Sequence, residues 1–318
     1  MPPESTVDLF AQRPLYLFLA PRYWGIWVAV AIMRASTILP YPLQMRFGRA
    51  LGRLMHAALR KRRLIANRNI SLCFPDADRA TVREMVRDHF DSLGMSLAEM
   101  ALGWWGSDKK IERLVTIEGI ENLHAVLENG KGAILVTAHF TSIEAAGRLF
   151  AKASPPFKAM YRTNRNHLFD EILRRGRLKS AASVIAKDDV KTMLRTLKSN
   201  MPVMYAPDQS YRRKLSALVP FFSVPSMTNI ATSHIARITG APVLPYLPIR
   251  LPDNKGYLVS ILPPIDNFPS DDPAADAERY HRVIEQCIRK DPSQYYWVHR
   301  RFKNRPAPLE DAYANLQE

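Results

Sequence analysis

Short apolar runs alternate with helical patterns over the last two thirds of the chain. Runs of this length are typical of buried strands. Their alternation with helices predicts an α/β fold, in which helices cover a mostly parallel central sheet. The predicted strands are residues 114–117, 133–138, 157–161, 183–186, 203–206, 243–249 and 257–262, and a last helix is predicted over 274–289.

An uninterrupted apolar stretch lies near the N-terminus. Residues 24–33 carry no charged side chain, and Arg22 and Arg34 bound the stretch. A spanning helix needs about 20 apolar residues, and no small-residue cleavage site follows that would mark a signal peptide. We therefore predict a membrane anchor over residues 1–44 that is either embedded in the bilayer or resting on it. A long core helix is the alternative, since Arg34 would be costly at mid-bilayer.

A basic amphipathic helix is predicted over residues 45–63. Apolar side chains and arginines recur there on separate faces at helical spacing. The cationic cluster at 60–63 follows at the level where anionic headgroups would lie, although an ordinary solvated helix face is the alternative. Residues 78–105 have the pattern of a further helix. The predicted domains are the anchor (1–44), a helical segment (45–106) and an α/β core (107–318).

The composition adds a strong positive charge. Lys and Arg number 45 against 30 Asp and Glu, which gives a formal net charge of +15 and a pI near 9.9. This charge favours an acidic partner such as nucleic acid, an anionic membrane, or an acidic protein or substrate. Cys73 and Cys287 are far apart, which argues against a disulfide framework and favours a reducing compartment. Glycine-rich phosphate loops and paired histidine ligands are absent from the sequence, so we predict no nucleotide cofactor and no metal.

The most informative polar residues follow the apolar run 133–138. His139 stands directly after this run, and Glu144 comes five residues later, at the start of a predicted helix. The carboxyl ends of strands in open α/β sheets are where ligands bind. A carboxylate that holds a histidine fixes its tautomer and stabilises its protonated form, so the pair predicts a general base. Because no Gly-x-Ser-x-Gly elbow is present, we expect His139 to activate a substrate hydroxyl directly, with a triad through Ser142 as the alternative.

Other predicted strands also end on polar side chains. Arg162 and Asp208 each follow an apolar run, and residues 299–301 follow another. We expect these groups to gather at the same edge of the sheet as the histidine. Since the guanidinium fork can donate two parallel hydrogen bonds to one phosphate, we predict that Arg162 and Arg300 or Arg301 bind phosphate groups. Simple solvated charges are the alternative.

Taken together, these features resemble the late acyltransferases of lipid A biosynthesis. These are the lauroyl and myristoyl transferases, which are part of the wider glycerolipid acyltransferase superfamily. The similarity runs from about residue 15 to residue 306. The motifs that carry it are NRNISLCFP (67–75), HFTSIE (139–144), YRTNRN (161–166), YAPDQSY (205–211) and YWVHRRFKNRP (296–306).

The resemblance implies roles for individual residues. His139 would be the catalytic base and Glu144 its catalytic partner, which holds the imidazole. The substrate-binding residues implied by the matching motifs are Arg162, Asn164, Asp208, Gln209, Arg300 and Arg301.

The resemblance also implies partners and a location. The enzyme would lie at the cytoplasmic side of the inner membrane, in contact with phospholipids. It would move an acyl chain from an acyl carrier protein thioester to a hydroxyl of a lipid A precursor, without a cofactor or nucleic acid. An acyltransferase with a glycerolipid or phosphatidylinositol mannoside acceptor is one alternative. A non-catalytic module that binds nucleic acid or membrane, suggested by the net charge, is another.

Overall fold

A seven-stranded sheet forms the centre of the fold. The computed structural model describes residues 13–314 and 316; residues 1–12 of the predicted anchor lie outside this range. The strands are β1 (Val115–Glu118), β2 (Ile134–Val136), β3 (Lys158–Tyr161), β4 (Ser183–Ala186), β5 (Val203–Tyr205), β6 (Ser216–Phe221), β7 (Val224–Asn229), β8 (Val243–Arg250) and β9 (Tyr257–Ile261). The sheet order is β1-β9-β8-β2-β5-β3-β4, and every neighbouring pair is parallel except β8 and β9. The predicted mostly parallel α/β architecture is confirmed.

Helices cover both faces of this sheet. In β2 and the residue before it, Ile134 and Val136 belong to one apolar cluster, whereas Ala133 and Leu135 belong to another on the opposite face, as the two-residue period of a strand requires. All four side chains are fully buried. The helices of the described residues are α1 (Trp24–Ser36), α2 (Tyr41–Ala58), α3 (Arg60–Cys73), α4 (Arg79–Trp105), α5 (Asp108–Glu112), α6 (Ile120–Leu127), α7 (Ile143–Ala153), α8 (His167–Arg177), α9 (Val190–Lys198), α10 (Ala231–Thr239) and α11 (Pro273–Lys290).

The hairpin of β6 and β7 was not predicted. Its two strands pair antiparallel in a separate two-stranded sheet, with Pro220 opposite Pro225. Prolines inside an apolar run argue against a central strand because they cannot donate to the ladder. In a two-stranded ribbon each strand keeps one free edge, so both prolines are accommodated.

The N-terminal helix α1 has two apolar faces. Trp27 and Val30 pack with the buried Trp104 of α4. The opposite side of α1 exposes Trp24, Val28 and Ile32. Within the described part of the chain, no helix combines the length and the apolar character needed to cross a bilayer. The predicted membrane anchor is therefore unconfirmed.

Helix α2 crosses α4 at backbone contact distance. A Cβ atom built on Gly52 would lie 2.2 Å from the carbonyl oxygen of Phe90, and one on Gly94 would lie 2.2 Å from the carbonyl oxygen of Gly48. Only glycine fits at such a crossing, because any side chain would displace a helix backbone. Tyr41 and Met45 of α2 are buried as well, whereas other large apolar side chains of this helix face outward. The exposed ones are Leu43, Phe47 and Leu54.

Candidate active site

Two neighbouring strands deliver the central residues of the site. The last residues of β2 and β5, Val136 and Tyr205, are register partners, and the N–H of Thr137 donates to the carbonyl of Tyr205 at 2.9 Å. His139 and Asp208 each follow three residues after the end of their strand. Because the strands are parallel, both loops leave the same edge of the sheet and bring the two side chains together.

The carboxylate of Asp208 holds the imidazole of His139. The distance from Nδ1 to Oδ1 is 2.6 Å, and the backbone N–H of His139 donates to Oδ2 at 3.1 Å. The carboxylate is fully buried, whereas the histidine side chain is 42% exposed. Burial opposes the ionisation of Asp208. The charge and hydrogen bonds of His139, and then the charge of Arg301, outweigh burial and hold the pKa of Asp208 well below its ordinary value.

This contact determines the tautomer of the imidazole. A buried, ionised carboxylate accepts a hydrogen bond, so the neutral ring of His139 carries its proton on Nδ1 and keeps a lone pair on Nε2. When Nε2 takes a proton, the charge of Asp208 stabilises the resulting imidazolium. The arrangement is that of a general base whose reactive nitrogen lies at a partly open surface.

The structure corrects the role expected for Glu144. Its Oε1 accepts hydrogen bonds from Nε and Nη2 of Arg177, at 2.9 and 2.5 Å. The expectation that Glu144 holds the imidazole is therefore wrong, since Asp208 occupies Nδ1. Glu144 lies in the first turn of α7, after the chain has turned away from the strand end. The loop after β5, although distant in sequence, is the closer neighbour of the histidine.

A cavity of about 550 Å³ opens beside His139. Its polar wall includes Glu144, Arg162, Asn164 and Gln209, so the structure brings together four of the predicted site residues with the base. The remaining wall is largely apolar and can accept a hydrocarbon chain. Its apolar residues include Phe157, Ala159, Met160, Leu173, Ala181 and Met204.

A second cavity of about 220 Å³ shares His139 with the first. Arg162 and Gln209 line both cavities, and Lys187 and Lys303 add positive charge to the smaller one. The histidine therefore stands between a larger chamber that has an extended apolar wall and a smaller chamber in which three cationic side chains outnumber Asp188. Such a pair of chambers can hold an acyl chain on one side and an anionic group on the other.

A wider groove of about 820 Å³ lies elsewhere, among α2, α4, α11 and the strands β8 and β9. Its walls mix arginines with carboxylates and contain no histidine. We assign the site to the cavities at His139 because they contain the hydrogen-bonded base. The larger groove contains no such base, and volume alone does not identify an active site. Among the described residues, no group of three or more His, Cys, Asp or Glu side chains is arranged to hold a metal ion.

Comparison with known proteins gives the family. The sequence model of a family described as bacterial lipid A biosynthesis acyltransferases matches residues 14–304. The chain belongs to this family. It is 38% identical to the lipid A biosynthesis lauroyltransferase of Escherichia coli (strain K12) over 296 residues. This match covers 93% of this chain and 96% of the relative. The palmitoleoyltransferase of the same strain is 34% identical over 300 residues, covering 93% and 96%, and its myristoyltransferase is 28% identical over 293 residues, covering 91% and 90%.

Membership in the lipid A acyltransferase family confirms the resemblance drawn from the motifs. It favours an acyltransferase over a non-catalytic nucleic-acid or membrane module. It also makes lipid A biosynthesis, the pathway in the family's description, the setting for the chemistry of the two chambers.

Arg301 lies outside both cavities of this acyltransferase. Its side chain is almost fully buried and donates to the carbonyl of Met227 at 3.1 Å and to Oγ1 of Thr228 at 2.9 Å. It lines neither cavity, so it supports the hairpin of β6 and β7 and acts on Asp208 through its charge. Arg300 lines neither cavity either, and its guanidinium lies 4.9 Å from the ring centre of Tyr313. Neither arginine is therefore part of the two cavities, and their phosphate contacts stay a prediction.

One residue of the site could not be found from the sequence. Arg177 ends α8 and reaches Glu144, and no local pattern marks that distant contact.

His299 lines both cavities, as expected for the polar residues that follow the apolar run before it. Burial together with the charge of Lys303 lowers the pKa of His299 to about 3. Its ring is therefore neutral at physiological pH.

Proposed function

We propose that this chain transfers a fatty acyl group from an acyl carrier protein thioester to a hydroxyl of a lipid A precursor. The observation that carries the proposal is the 2.6 Å contact between Nδ1 of His139 and Asp208 at the wall of two chambers. A base held in this way needs a substrate with an acidic proton, and a hydroxyl beside a thioester supplies one. Family membership gives the lipid A precursor as the acceptor.

The reaction follows from the position of Nε2. Nε2 of His139 takes the proton of the acceptor hydroxyl as the oxygen attacks the thioester carbonyl. The C–O bond forms, and the carbonyl oxygen of the tetrahedral intermediate becomes negative. When the carbonyl re-forms, the C–S bond breaks and the imidazolium returns its proton to the leaving thiolate. Asp208 keeps the imidazole in one tautomer and stabilises its charged form throughout.

Glu144 has a different task in this proposal. Arg177 fixes its carboxylate in the wall of the larger cavity through two hydrogen bonds to Oε1. Oε2 then remains to accept a hydrogen bond from the acceptor, so the carboxylate orients the sugar or hydroxyacyl group next to the base. A group positioned within hydrogen-bond reach contributes to the rate through orientation.

The two chambers divide the substrates between them. The apolar wall around Phe157, Leu173 and Met204 suits the acyl chain. The cationic wall with Arg162, Lys187 and Lys303 suits an anionic group, either an acceptor phosphate or the phosphate of the carrier's pantetheine arm.

We place the enzyme at the cytoplasmic side of the inner membrane. Supporting observations are the outward apolar side chains of α1 and α2 and the net charge of +15. An interfacial helix binds a membrane surface through burial of its apolar side chains and through attraction of its positive charges to anionic lipid. The same positive surface suits an acidic carrier protein.

The test is a transfer assay with the purified full-length chain. We expect acyl carrier protein thioester and lipid A precursor to give a product heavier by one acyl group, as measured by mass spectrometry. Removal of a general base typically costs about 10² to 10⁴ in rate, so His139→Ala is expected to lower turnover by that factor while keeping the thermal midpoint of the parent.

Two outcomes contradict the proposal. Near-normal turnover of a folded His139→Ala protein would show that His139 is not the general base. Transfer to a glycerolipid or phosphatidylinositol mannoside in place of the lipid A precursor would be compatible with His139 as the base but would contradict the proposed acceptor.

A further inference from the structure

A third cavity lies between the N-terminal helix and the core. Its volume is about 240 Å³, and its apolar walls include Trp27 and Val30 of α1, Trp104 and Trp105 of α4, and Ile172 of α8. Helix α8 separates it from the catalytic site, because residues 173 and 177 line the larger catalytic cavity whereas 172 and 176 line this one. We call it the α1 cavity.

Three cationic side chains line the α1 cavity, and no Asp or Glu side chain is among its described lining residues. Arg34 comes from α1, and Arg175 and Lys179 come from α8 and the turn after it. Arg175 pairs with Glu171 at 2.6 Å, a carboxylate that Arg174 also holds. In the part of the chain that the structure describes, Arg34 makes no ion pair. Two positive groups of this cavity, Arg34 and Lys179, are therefore available to an anion.

The electrostatics of Lys179 support an anionic occupant. Its Nζ donates to the carbonyl of Trp104 at 2.5 Å. Burial, followed by the positive charges of Arg148 and Arg34, lowers the pKa of the ammonium. Like charges that crowd a partly buried ammonium are relieved when an anion enters between them.

A buried polar group of the α1 cavity also lacks a partner. Trp104 is 2% exposed, and among the described residues its Nε1 has no hydrogen-bond acceptor. Gly176 lies against this indole so closely that a Cβ there would come within 2.4 Å of Nε1. Buried tryptophan N–H groups usually find an acceptor, and the oxygen of a bound ligand would supply one.

The surroundings indicate what kind of anion enters. The same N-terminal segment carries a group of exposed apolar side chains, which is the surface that faces lipid in the proposed membrane contact. These residues are Tyr16, Leu17, Leu19, Trp24, Val28 and Ile32. A ligand at this place meets cations, an indole N–H and an apolar wall together, so it needs a negative head and a hydrocarbon tail.

We infer that the α1 cavity binds one anionic phospholipid of the surrounding membrane. The phosphate lies between Arg34 and Lys179, and the first part of an acyl chain lies along Trp27, Val30 and Ile172. The lipid then joins α1 to α8, whose other side forms the catalytic cavity. Lipid binding here does not depend on acyl transfer at His139.

Native mass spectrometry of the full-length chain in detergent tests this inference. The probes are phosphatidylglycerol and phosphatidylcholine with the same acyl chains, titrated into the protein. We expect one phosphatidylglycerol molecule to stay bound at concentrations where phosphatidylcholine does not. Equal retention of the two lipids would overturn the anionic site.

Charge-neutral variants assign the bound lipid to the cavity. A Lys or Arg near anionic lipid contributes about 1 kcal/mol, so Arg34→Gln and Lys179→Gln are each expected to weaken phosphatidylglycerol binding about fivefold. Arg46→Gln is the matched control, since it removes an exposed arginine from the neighbouring α2 outside the cavity. Equal losses in Arg34→Gln and Arg46→Gln would show a general surface attraction and refute the site.

A competition experiment separates the lipid from its headgroup alone. Glycerol 3-phosphate at millimolar concentration is expected to leave phosphatidylglycerol bound, because it offers no chain to the apolar wall. Displacement by glycerol 3-phosphate would contradict the lipid assignment. Thermal unfolding of each variant confirms that the fold is kept, and transfer activity is measured separately, so that failure of the proposed catalytic function and failure of this site give different results.

Discussion

At the residue scale, the catalytic geometry depends on which carboxylate reaches His139. The sequence places Glu144 five residues away and Asp208 far along the chain, yet the structure pairs the histidine with Asp208. Sequence spacing reports only local proximity, and β2 and β5 become neighbours only through sheet pairing. The base itself could be predicted because it directly follows a buried apolar run. Its partner could not be chosen between two carboxylates without the strand order.

The pairing with Asp208 predicts the effect of removing its charge. Asp208→Asn keeps the shape but offers an amide N–H to Nδ1, which favours the tautomer with the proton on Nε2. That tautomer cannot accept the proton of a hydroxyl, so we expect turnover to fall by about 10² to 10⁴. Steady-state transfer kinetics measure the loss.

The control is Asp108→Asn, which neutralises an exposed carboxylate on α5 outside both catalytic cavities. Turnover of Asp208→Asn equal to that of the control would show that Asp208 does not position the base.

At the element scale, helix α7 provides part of the wall of the larger catalytic cavity. Gly147 lies one turn after Glu144 and lines this cavity, and a Cβ built on it would meet no atom within 4 Å. A side chain at this position therefore extends into open space where the proposed acyl chain lies. We therefore expect this position to limit the length of the acyl chain.

We expect Gly147→Met to shift the transferred chain to a shorter length. The substitution fills cavity volume without displacing the helix, and it replaces glycine by a better helix former. Mass spectrometry of products from a mixture of carrier protein thioesters gives the chain distribution. Ala153→Met adds the same side chain at an exposed position of α7. An unchanged distribution in Gly147→Met would place the acyl chain elsewhere.

Predicted elements and observed elements differ mainly where tertiary contacts override local pattern. All seven strands of the large sheet overlap predicted apolar runs, and the central strands β2, β5 and β8 are the most continuously apolar because both of their faces are buried. The hairpin containing Pro220 and Pro225 was missed because its strands pair only with each other. The burial of Arg301 could not be predicted, because a basic motif after an apolar run does not reveal whether its side chain points to solvent or into the core.

At the scale of the whole molecule, buried histidines couple stability to pH. Burial lowers the pKa of His89 to about 4, and burial with the charge of Arg301 lowers that of His281 to about 3. Both rings are neutral in the folded chain but take up protons near pH 6.5 when unfolded. The unfolded state then binds more protons below pH 6.5, so stability falls as the pH falls from there toward about 4.

We expect each of these two histidines to cost about 1 kcal/mol of stability between pH 7 and pH 5.5. Thermal unfolding at the two pH values measures the combined loss. His281→Gln removes one titrating group and is expected to reduce the difference between the two conditions. The same pH dependence in parent and variant would show that His281 does not contribute.

The positive charge of the whole chain predicts a dependence on salt. Attraction between exposed charges weakens as the screening length falls from about 10 Å at 0.1 M salt to about 3 Å at 1 M. We expect the KM for acyl carrier protein thioester to rise with ionic strength. The KM for the corresponding pantetheine thioester, which lacks the acidic protein, should change little. Equal salt responses of the two donors would argue against electrostatic docking of the carrier.

The glycine crossing of α2 and α4 connects a helix that is proposed to face lipid with the part of the molecule that carries the candidate active site. Gly52 and Gly94 leave the two helix backbones no intervening side chains that could rearrange. Helix α4 in turn reaches α7, where Gly103 approaches the backbone of Glu144. If α2 lies in the headgroup layer as proposed, we expect its tilting to be transmitted as a rigid-body displacement, so that the depth of this helix would set the height at which the acceptor hydroxyl must be presented.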